Sequence, residues 1–507
     1  MTAAVPDNPR HNVRLLLVLT GCAALLRFVL LGAFPDIVAD EGLWTNSSKN
    51  YVAFGDWFMD GRTHMLLSPV FHWLSVVVFE LFHPSIAGAR AISALAGVAS
   101  MLLLYLLTCR ISGRQDFATI TAIVFGFDAV SVLQSRLALI ESLELCVCLA
   151  AAVLLVQRWR GATVAAGVLF GVALLTKVNA GFLLPVLVGF LFLRLAQAPD
   201  RDTLTPVREA GVFAVVSLLV AGAVYGVLYQ TFPQQFIPAF KFQLDGVHFE
   251  GISHPIVRLG RFGLDPVQAS RTIIALFRDS PFLMVLAVCG AGLSVVARPR
   301  GVELFGPWLI VGVGFFLCQM FQPVRYFYLV IPAFAFFAAV AIDRLAAGEF
   351  SGATLNRRMT IVVVGLYLVF NLGYVGMGAV ANRGTKLQQV VQWVRANTQP
   401  TDRIMAAGYF CTDLPNRCYA HYLLARDMSQ LTESIRKYQI DYVIFDSGEW
   451  HHDLGDSLAQ HFAPVERWGF GTVYGVTPRP ISSEEQPRPR HVARRAVPKI
   501  TEPGPTR

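Results

Sequence analysis

The stretch that decides the fold is "FPDIVADEGLWTNSSKNYVAFGDW", residues 34–57, which follows directly on the first long apolar run of the chain. Two adjacent carboxylates, Asp40 and Glu41, lie in this stretch, a few residues beyond a segment apolar enough to enter lipid. Ionisable side chains at membrane depth carry a high energetic cost, so their default interpretation is functional. The pair therefore predicts a site at a membrane boundary.

The composition is that of a membrane protein with many spans. Of the 507 residues, 54% are hydrophobic and 15% are charged, and the mean hydropathy is +0.52. Soluble domains carry about 25% charged residues. The net charge of +8 resides mainly in predicted loops and a basic tail, so it does not indicate a nucleic-acid partner.

Hydropathy predicts a polytopic α-helical protein with about eleven spans, since a helix needs about 20 apolar residues to cross a bilayer. The predicted spans cover residues 13–34, 85–108, 115–134, 137–157, 162–177, 179–196, 209–231, 281–297, 303–320, 324–343 and 359–380. The short loops rich in Lys and Arg fall on one side, which the positive-inside rule makes cytoplasmic. We therefore expect a multi-pass protein of the inner or plasma membrane, with a cytoplasmic N-terminus and an extracytoplasmic C-terminal region.

The chain divides into three predicted parts. Residues 1–380 form a transmembrane domain with two long external loops, 35–84 and 232–280. Residues 381–478 form a small extracytoplasmic α/β domain, in which "RIMAAG" and "DYVIFD" are typical of buried strands and "VERWGFGTVYGVTP" of a hairpin. Residues 479–507 are rich in Pro and Arg and are expected to be disordered.

Two cysteines, Cys411 and Cys418, fall in the predicted external domain. A disulfide is chemically permitted in an extracytoplasmic compartment. Two free thiols are the alternative, and the sequence leaves both open because pairing depends on geometry.

Several polar residues are predicted to lie on the same external membrane face, at the ends of different spans. They are Asp40, Glu41, Arg90, Asp128, Arg136, Glu141, Lys177, Arg325 and Tyr326. Convergence of opposite charges on one face favours a catalytic or binding site.

Each residue also has a structural alternative. Asp40 could be an ordinary loop acid or the N-cap of the following helix. Glu141 could form a structural ion pair with Arg136, Lys177 could extend to the interface as long basic side chains do, and Arg325 could be an interfacial anchor. These alternatives stay open at the level of sequence.

Five segments carry a family resemblance in order along the chain. They are "ADEGLWTNSSKNYVAFGDW", "SPVFHWLSVVVFELFHPSIAGARAISALAGV", "QSRLALIESLEL", "GVALLTKVNAGFLLP" and "PVRYFYLVIPAFAFFAAVAI". Over residues 13 to about 345 the chain resembles the membrane-embedded C-type (GT-C) glycosyltransferases related to the protein O-mannosyltransferases and the lipid A aminoarabinose transferase. The α/β domain after the last span is similar to that of many bacterial members.

The resemblance implies an inverting transfer of a hexose or pentose from a polyprenyl-phosphate donor, on the extracytoplasmic face, to a hydroxyl of a protein, lipid or cell-envelope glycan. It implies Asp40 as general base, with Glu41 orienting it or binding substrate. Glu141 matches the family's second acidic position, and Lys177 and Arg325 would contact donor phosphate or sugar. The other predicted substrate-binding residues are Arg90, Arg136 and Tyr326.

One position departs from the family pattern. Many relatives carry a Lys-Pro-Pro run where this chain has "LLSPV", residues 66–70, so a lysine that could contact donor phosphate is missing. His64, Arg258 and Arg261 are the candidate replacements.

No cofactor is predicted, because the chain has no P-loop, dinucleotide fingerprint or G-x-S-x-G motif. A divalent ion near Glu141 is an open alternative without a supporting ligand pattern. His248, Glu250 and His254, in "HFEGISH", lack the H-E-x-x-H spacing and are interpreted as loop residues.

A transporter or lipid flippase is the alternative from another functional class. It would place Asp40, Glu141 and Lys177 far apart or along a path through the membrane. Transporters usually carry an internal repeat and a site at the membrane midplane. The sequence shows no repeat, and its charges cluster at the ends of spans.

Overall fold

The computed structural model describes most of the chain. The described residues are 9–157, 159, 161–197, 204–245, 257–259, 262–319, 324–347, 353–381, 386–420, 427–447 and 452–476. The predicted tail, 479–507, and the "HFEGISH" segment lie outside them.

Between Pro9 and Thr176 the described residues form helices joined by loops and turns. Its helices are α1 (Pro9–Phe28), α2 (Ala39–Phe54), α3 (His64–Leu67), α4 (Pro69–Phe82), α5 (Ile86–Ser112), α6 (Gln115–Phe127), α7 (Ala129–Ser135), α8 (Glu141–Leu155) and α9 (Ala162–Thr176).

The second half continues with a 3₁₀ helix at Val178–Phe182 and then α10 (Leu183–Ala196), α11 (Leu204–Thr231) and α12 (Pro233–Asp245). A short antiparallel pair, β1 (Val257–Leu259) and β2 (Phe262–Leu264), precedes α13 (Pro266–Asp279), α14 (Pro281–Ala297) and α15 (Val302–Leu317). A 3₁₀ helix at Val324–Val330 leads into α16 (Ile331–Ala347) and α17 (Ala353–Ala381).

Among the described residues, five helical segments are long and apolar enough to cross a membrane, and two sharply bent helix pairs would raise this to seven. The multi-pass helical class is therefore confirmed, and the count of eleven stays a prediction. The predicted first span is wrong at its end, because α1 stops at Phe28 rather than near residue 34. Leu30 has φ of +57°, a left-handed conformation that cannot continue a right-handed helix.

Small residues allow the helices to pack closely. A Cβ placed on Gly290 of α14 would lie 1.7 Å from the carbonyl oxygen of Phe337 in α16. Gly167 and Gly171, four residues apart on α9, face α11 in a similar way. Helices in lipid associate through such close contacts, since lipid supplies no hydrophobic drive between them.

The C-terminal residues build a five-stranded sheet with flanking helices. Its elements are α18 (Lys386–Asn397), β3 (Arg403–Ala406), α19 (Gly408–Cys411), β4 (Arg417–Ala420), α20 (Met428–Tyr438), β5 (Tyr442–Asp446), α21 (His452–His461), β6 (Ala463–Trp468) and β7 (Gly471–Gly475). The strand order is β4-β3-β5-β7-β6, with the first three parallel and β7 antiparallel to both neighbours. The strands predicted at "RIMAAG" and "DYVIFD", and the predicted closing hairpin, are all present.

A disulfide joins Cys411 at the end of α19 to Cys418 in β4, so the alternative of two free thiols is wrong. The loop between them reaches the helical part of the chain. There the carboxylate of Asp413 accepts a hydrogen bond from the Ile86 N–H, at the start of α5, over 3.0 Å.

Burial raises the pKa of Asp413 to about 6, from an ordinary value of 3.8, although the Ile86 N–H and the nearby Arg90 and Arg395 oppose the shift. The charged form is therefore disfavoured in the folded protein. The stabilising contribution is complete below pH 3.8 and is lost as the pH rises through 6, by about 3 kcal/mol at most.

We expect Asp413→Asn, which keeps an acceptor for the Ile86 N–H but cannot ionise, to remove this pH dependence. Wild type should lose thermal stability relative to Asp413→Asn between pH 5 and pH 7.5, as measured by thermal unfolding in detergent. Equal shifts for the two proteins over that range would contradict the assignment. Asp456→Asn, at an exposed position of α21 in the same unit, is the control.

Candidate active site

The carboxylate of Glu41 is the most heavily bonded polar group near the start of α2. Both of its oxygens accept from Arg90 of α5, through Nε and Nη2, at 2.7 Å each. The same oxygens accept from the backbone N–H of Ala138 at 2.7 Å and of Val38 at 3.0 Å. Glu41 is fully buried. Four hydrogen bonds nearly exhaust its capacity as an acceptor, so Glu41 has little room to bind substrate.

Two arginines, Arg90 and Arg136, hold the loop between α1 and α2. Both side chains are buried. Arg90 donates to backbone carbonyls of that loop, and Arg136 donates to backbone carbonyls of the loop and of the end of α1. The acceptors are Leu26, Val29, Leu31, Phe34 and Pro35. This geometry gives the two arginines a positioning role, and the substrate contact predicted for them stays a prediction.

Asp40 differs from Glu41 in its exposure and in its ion-pair partner. Its side chain keeps 26% of its exposure and forms an ion pair with Arg325. The two adjacent carboxylates point to different surroundings because successive residues of a helix are about 100° apart. Asp40 is therefore the accessible carboxylate of the pair.

Arg325 connects Asp40 to a second acidic residue, Glu141. Lys177 Nζ donates to Glu141 Oε1 at 2.7 Å, and Arg325 Nε lies 3.7 Å from the same oxygen. The ring of Tyr326 lies beside both cations, 4.0 Å from Lys177 Nζ and 5.5 Å from the guanidinium carbon of Arg325. Arg325 thus links the two carboxylates, which goes beyond an interfacial anchor.

Helix ends place these charges. Asp40 and Glu41 lie in the first turn of α2, and Glu141 begins α8. Lys177 follows the last residue of α9 as its C-cap. Helix N-termini favour negative charge and C-termini favour positive charge. The helix dipole therefore stabilises the charged side chains at these three helix ends.

Most of the structural alternatives are contradicted. Asp40 is not the N-cap of α2, because that position is Val38. Glu141 pairs with Lys177 rather than with Arg136, which bonds only to carbonyl oxygens among the described residues. Lys177 is buried, so it does not extend to the interface.

Asp128, also on the predicted face, has structural partners. It caps α7 by accepting from the Ser131 N–H, and it accepts from the hydroxyl of Ser280, the residue before α14. Asn371 of α17 accepts from the next N–H, that of Ala129. These bonds stabilise the bend between α6 and α7.

One buried acid was not predicted from the sequence. Glu144 lies three residues after Glu141 on α8, fully buried, and neither of its oxygens makes a hydrogen bond of ordinary geometry to the described residues. The i, i+3 spacing of two acids on one helix face, inside an apolar run, was the available signal. No three His, Cys, Asp or Glu side chains within the described ranges are grouped as a metal site.

His64 does not replace the missing lysine as a charged group. It is half-buried, with its ring 5.3 Å from that of Trp44, edge to face. Burial and the nearby Arg62 lower the pKa of His64 to about 3, so it is neutral near pH 7. The other two candidates, Arg261 and the side chain of Arg258, lie outside the described residues.

Comparison with known proteins shows what this chain is similar to. Residues 17–233 match the family model of dolichyl-phosphate-mannose-protein mannosyltransferase. Over these residues the chain is similar to the protein O-mannosyltransferases, so the resemblance seen in the sequence is confirmed. The match covers less than half of the chain, and solved membrane-embedded C-type glycosyltransferases share its helical fold.

Two solved structures illustrate the shared fold. ArnT from Cupriavidus metallidurans, bound to undecaprenyl phosphate, superposes with a TM-score of 0.66 at 16% identity, over 91% of this chain and 98% of that one. The oligosaccharyltransferase AglB from Archaeoglobus fulgidus, in complex with an inhibitory peptide and a dolichol-phosphate, gives 0.56 at 13% identity, over 86% and 69% of the two chains.

A curated relative, an uncharacterized protein from Aquifex aeolicus (strain VF5), is 27% identical over 226 residues. The match spans 43% of this chain and 44% of that relative. It extends the sequence relationship without adding a function.

The burial contrast between the two adjacent acids is testable through stability. We expect Glu41→Gln to lower the free energy of unfolding by roughly 3–5 kcal/mol, because it leaves Arg90 as an uncompensated buried charge. Asp40→Asn should change it by less than about 1 kcal/mol, since that ion pair is partly exposed. Thermal unfolding in detergent compares the two. An unchanged melting temperature for Glu41→Gln would show that the described network does not support the fold.

Proposed function

We propose that this protein is an inverting glycosyltransferase that moves a hexose or pentose from a polyprenyl-phosphate donor to an acceptor hydroxyl at the extracytoplasmic membrane face. The observation that carries the proposal is the convergence of Asp40, Arg325, Glu141 and Lys177. The accessible carboxylate of Asp40 pairs with Arg325, and Arg325 and Lys177 both lie against Glu141. Such a site suits a lipid-anchored phosphate whose reactive carbon lies near the bilayer surface.

The chemistry divides between the acid and the cations. Asp40 takes the proton of the acceptor hydroxyl as its oxygen attacks the anomeric carbon. The bond from that carbon to the phosphate oxygen breaks, and its electron pair leaves with the polyprenyl phosphate. Arg325 and Lys177 stabilise the charge that grows on the departing phosphate. Displacement in one step inverts the anomeric configuration and requires a single base.

Arg325 couples donor binding to the base. While it pairs with Asp40, the guanidinium occupies Oδ2 of the carboxylate that would take the acceptor's proton. A donor phosphate would compete for the guanidinium, and this competition would release Asp40 for the acceptor. Glu141 stays paired with Lys177 and limits how far Arg325 can move.

Relatives support the lipid-phosphate part of this proposal. The ArnT structure contains undecaprenyl phosphate, and the AglB structure contains a dolichol-phosphate and a peptide. The description of the matched family names dolichyl-phosphate-mannose and protein. Close contact between Glu141 and Lys177, with Arg325 bridging to Asp40, disfavours the transporter alternative. The acceptor is a protein, a lipid or a cell-envelope glycan, and residues 232–280 and 381–478 would select it.

Asp40→Asn should lower turnover by roughly 10²- to 10⁴-fold, the usual contribution of a general base. The assay follows release of polyprenyl phosphate from donors that carry mannose, arabinose or aminoarabinose, with purified protein in nanodiscs. Asp36→Asn removes a nearby carboxylate of the same loop and should leave turnover unchanged. Near-normal turnover by Asp40→Asn would refute the assignment of the base.

Lys177→Met should weaken the binding of undecaprenyl phosphate by roughly 10- to 100-fold, because hydrogen bonds to charged groups contribute about 1.5–3 kcal/mol. Fluorescence or calorimetric titration in detergent measures the Kd. Lys437→Met, on the surface of the C-terminal unit, is the control. Equal affinity for wild type and Lys177→Met would exclude Lys177 from phosphate binding.

The donor sugar can be identified in cells. Polyprenyl-linked sugars that accumulate when the protein is absent, measured by mass spectrometry of the lipid fraction, would name the donor. Accumulation of none would argue against the whole proposal.

A further inference from the structure

The disulfide loop, residues 411–418, packs directly on α2, the helix that carries Asp40. The hydroxyls of Thr45 and Thr412 share a hydrogen bond of 2.6 Å, and Lys49 Nζ donates to the carbonyl oxygen of Asn416 over 2.6 Å. All four side chains are buried. Thr45 lies three residues after Gly42, and Lys49 lies four residues after Thr45. This spacing places the contacts along one side of α2.

Backbones meet at the start of that contact. A Cβ built on Gly42 would lie 2.1 Å from the carbonyl carbon of Gly408, the first residue of α19. No side chain larger than hydrogen fits there without displacing α2 from α19. Gly42 is two residues from Asp40, so such a displacement would reach the carboxylate.

The loop is anchored at its other end. The side-chain amide of Asn416 donates to the carbonyl oxygens of Gln399 and Asp402, at 2.6 and 3.1 Å. Asp413 accepts from the Ile86 N–H of α5, the helix whose Arg90 holds Glu41. The loop therefore contacts both helices of the Glu41–Arg90 pair, and the disulfide closes it onto β4.

We propose that the disulfide-closed loop 411–418 is a positioning element for Asp40. It fixes α2 from the side of the C-terminal unit, as Arg90 and Arg136 fix the preceding loop from within the helical part. The inference rests on the proposed function for its effect on turnover. Its structural half, that the loop restrains α2, is independent of that function.

The first test needs no substrate. Hydrogen–deuterium exchange of residues 39–54 is compared among wild type, the double variant Cys411→Ala/Cys418→Ala, and Gly42→Ala. Exchange of α2 should accelerate about tenfold or more in both variants, while α16 and β5 keep their protection. Controls are Cys22→Ala/Cys289→Ala, at two exposed thiols, and Gly222→Ala on α11, where a Cβ meets open space. Unchanged protection of α2 in both variants would overturn the proposal.

The second test separates positioning from general damage. Turnover should fall about 10²-fold in either variant, since a displacement near 1 Å can cost that much. The Kd for undecaprenyl phosphate should not rise, because a misplaced Asp40 competes less with the phosphate for Arg325. Lys177 and Arg325 lie on other elements, which is why affinity should be spared. In an Asp40→Asn background the same variants should cause no further loss of turnover, because the misplaced group is already absent.

A parallel loss of donor affinity, or an equal loss of turnover in the Asp40→Asn background, would show that the loop supports the fold in general and would refute the positioning role. Where residual turnover of Asp40→Asn is too slow to follow, the affinity measurement decides. Normal turnover by Asp40→Asn itself would remove the proposed function, whereas the exchange experiment would still test whether the loop restrains α2.

Discussion

The carboxylate of Glu41 accepts four hydrogen bonds in a fully buried position, two from Arg90 and one each from the Val38 and Ala138 N–H groups. A charge removed from water is tolerated only when it is paired and its lone pairs are satisfied. Meeting that demand brings together the start of α2, the first turns of α5 and the turn before α8. The arrangement of the site follows, because Asp40 is the preceding residue of α2 and Glu141 lies three residues beyond Ala138.

The two neighbouring acids illustrate how burial separates roles that sequence leaves joined. Both lie in the first turn of one helix and both benefit from its dipole. Glu41 is saturated by donors and serves the fold. Asp40 has an ion pair that a substrate could displace, and it keeps contact with solvent. In the proposed mechanism this division keeps Glu41 fixed and leaves Asp40, the proposed base, accessible.

The cations come from other elements, at the end of α9 and the start of the 3₁₀ helix before α16. Lys177 is buried against Glu141 and the Tyr326 ring, whereas Arg325 lies between Glu141 and Asp40. Among the described residues Lys177 forms an ion pair with one carboxylate, that of Glu141, whereas Arg325 contacts the carboxylates of both Glu141 and Asp40. The two cations are therefore suited to different tasks. On the other side of α2, the disulfide loop supplies a restraint from the sheet-containing unit.

The sequence by itself determined the membrane class, most of the helical segments, the order of the polar residues along the chain, and four of the five strands of the C-terminal sheet, all but β4. Hydropathy and periodicity are local properties, and they suffice for these. The family resemblance also singled out Asp40, Glu141, Lys177 and Arg325, which the structure brings together, although their roles stay proposals.

Only the tertiary structure decided which side chains form ion pairs with each other. Arg136 was a candidate partner for Glu141 because the two are close in sequence, yet it turns to the carbonyls of the first loop and Glu141 pairs with Lys177, 36 residues further on. The disulfide, the neutrality of His64 and the burial of Glu144 were equally beyond the sequence. The physical reason is the same in each case: solvation and ion pairing depend on which side chains meet across the fold, and that is set by packing between distant segments.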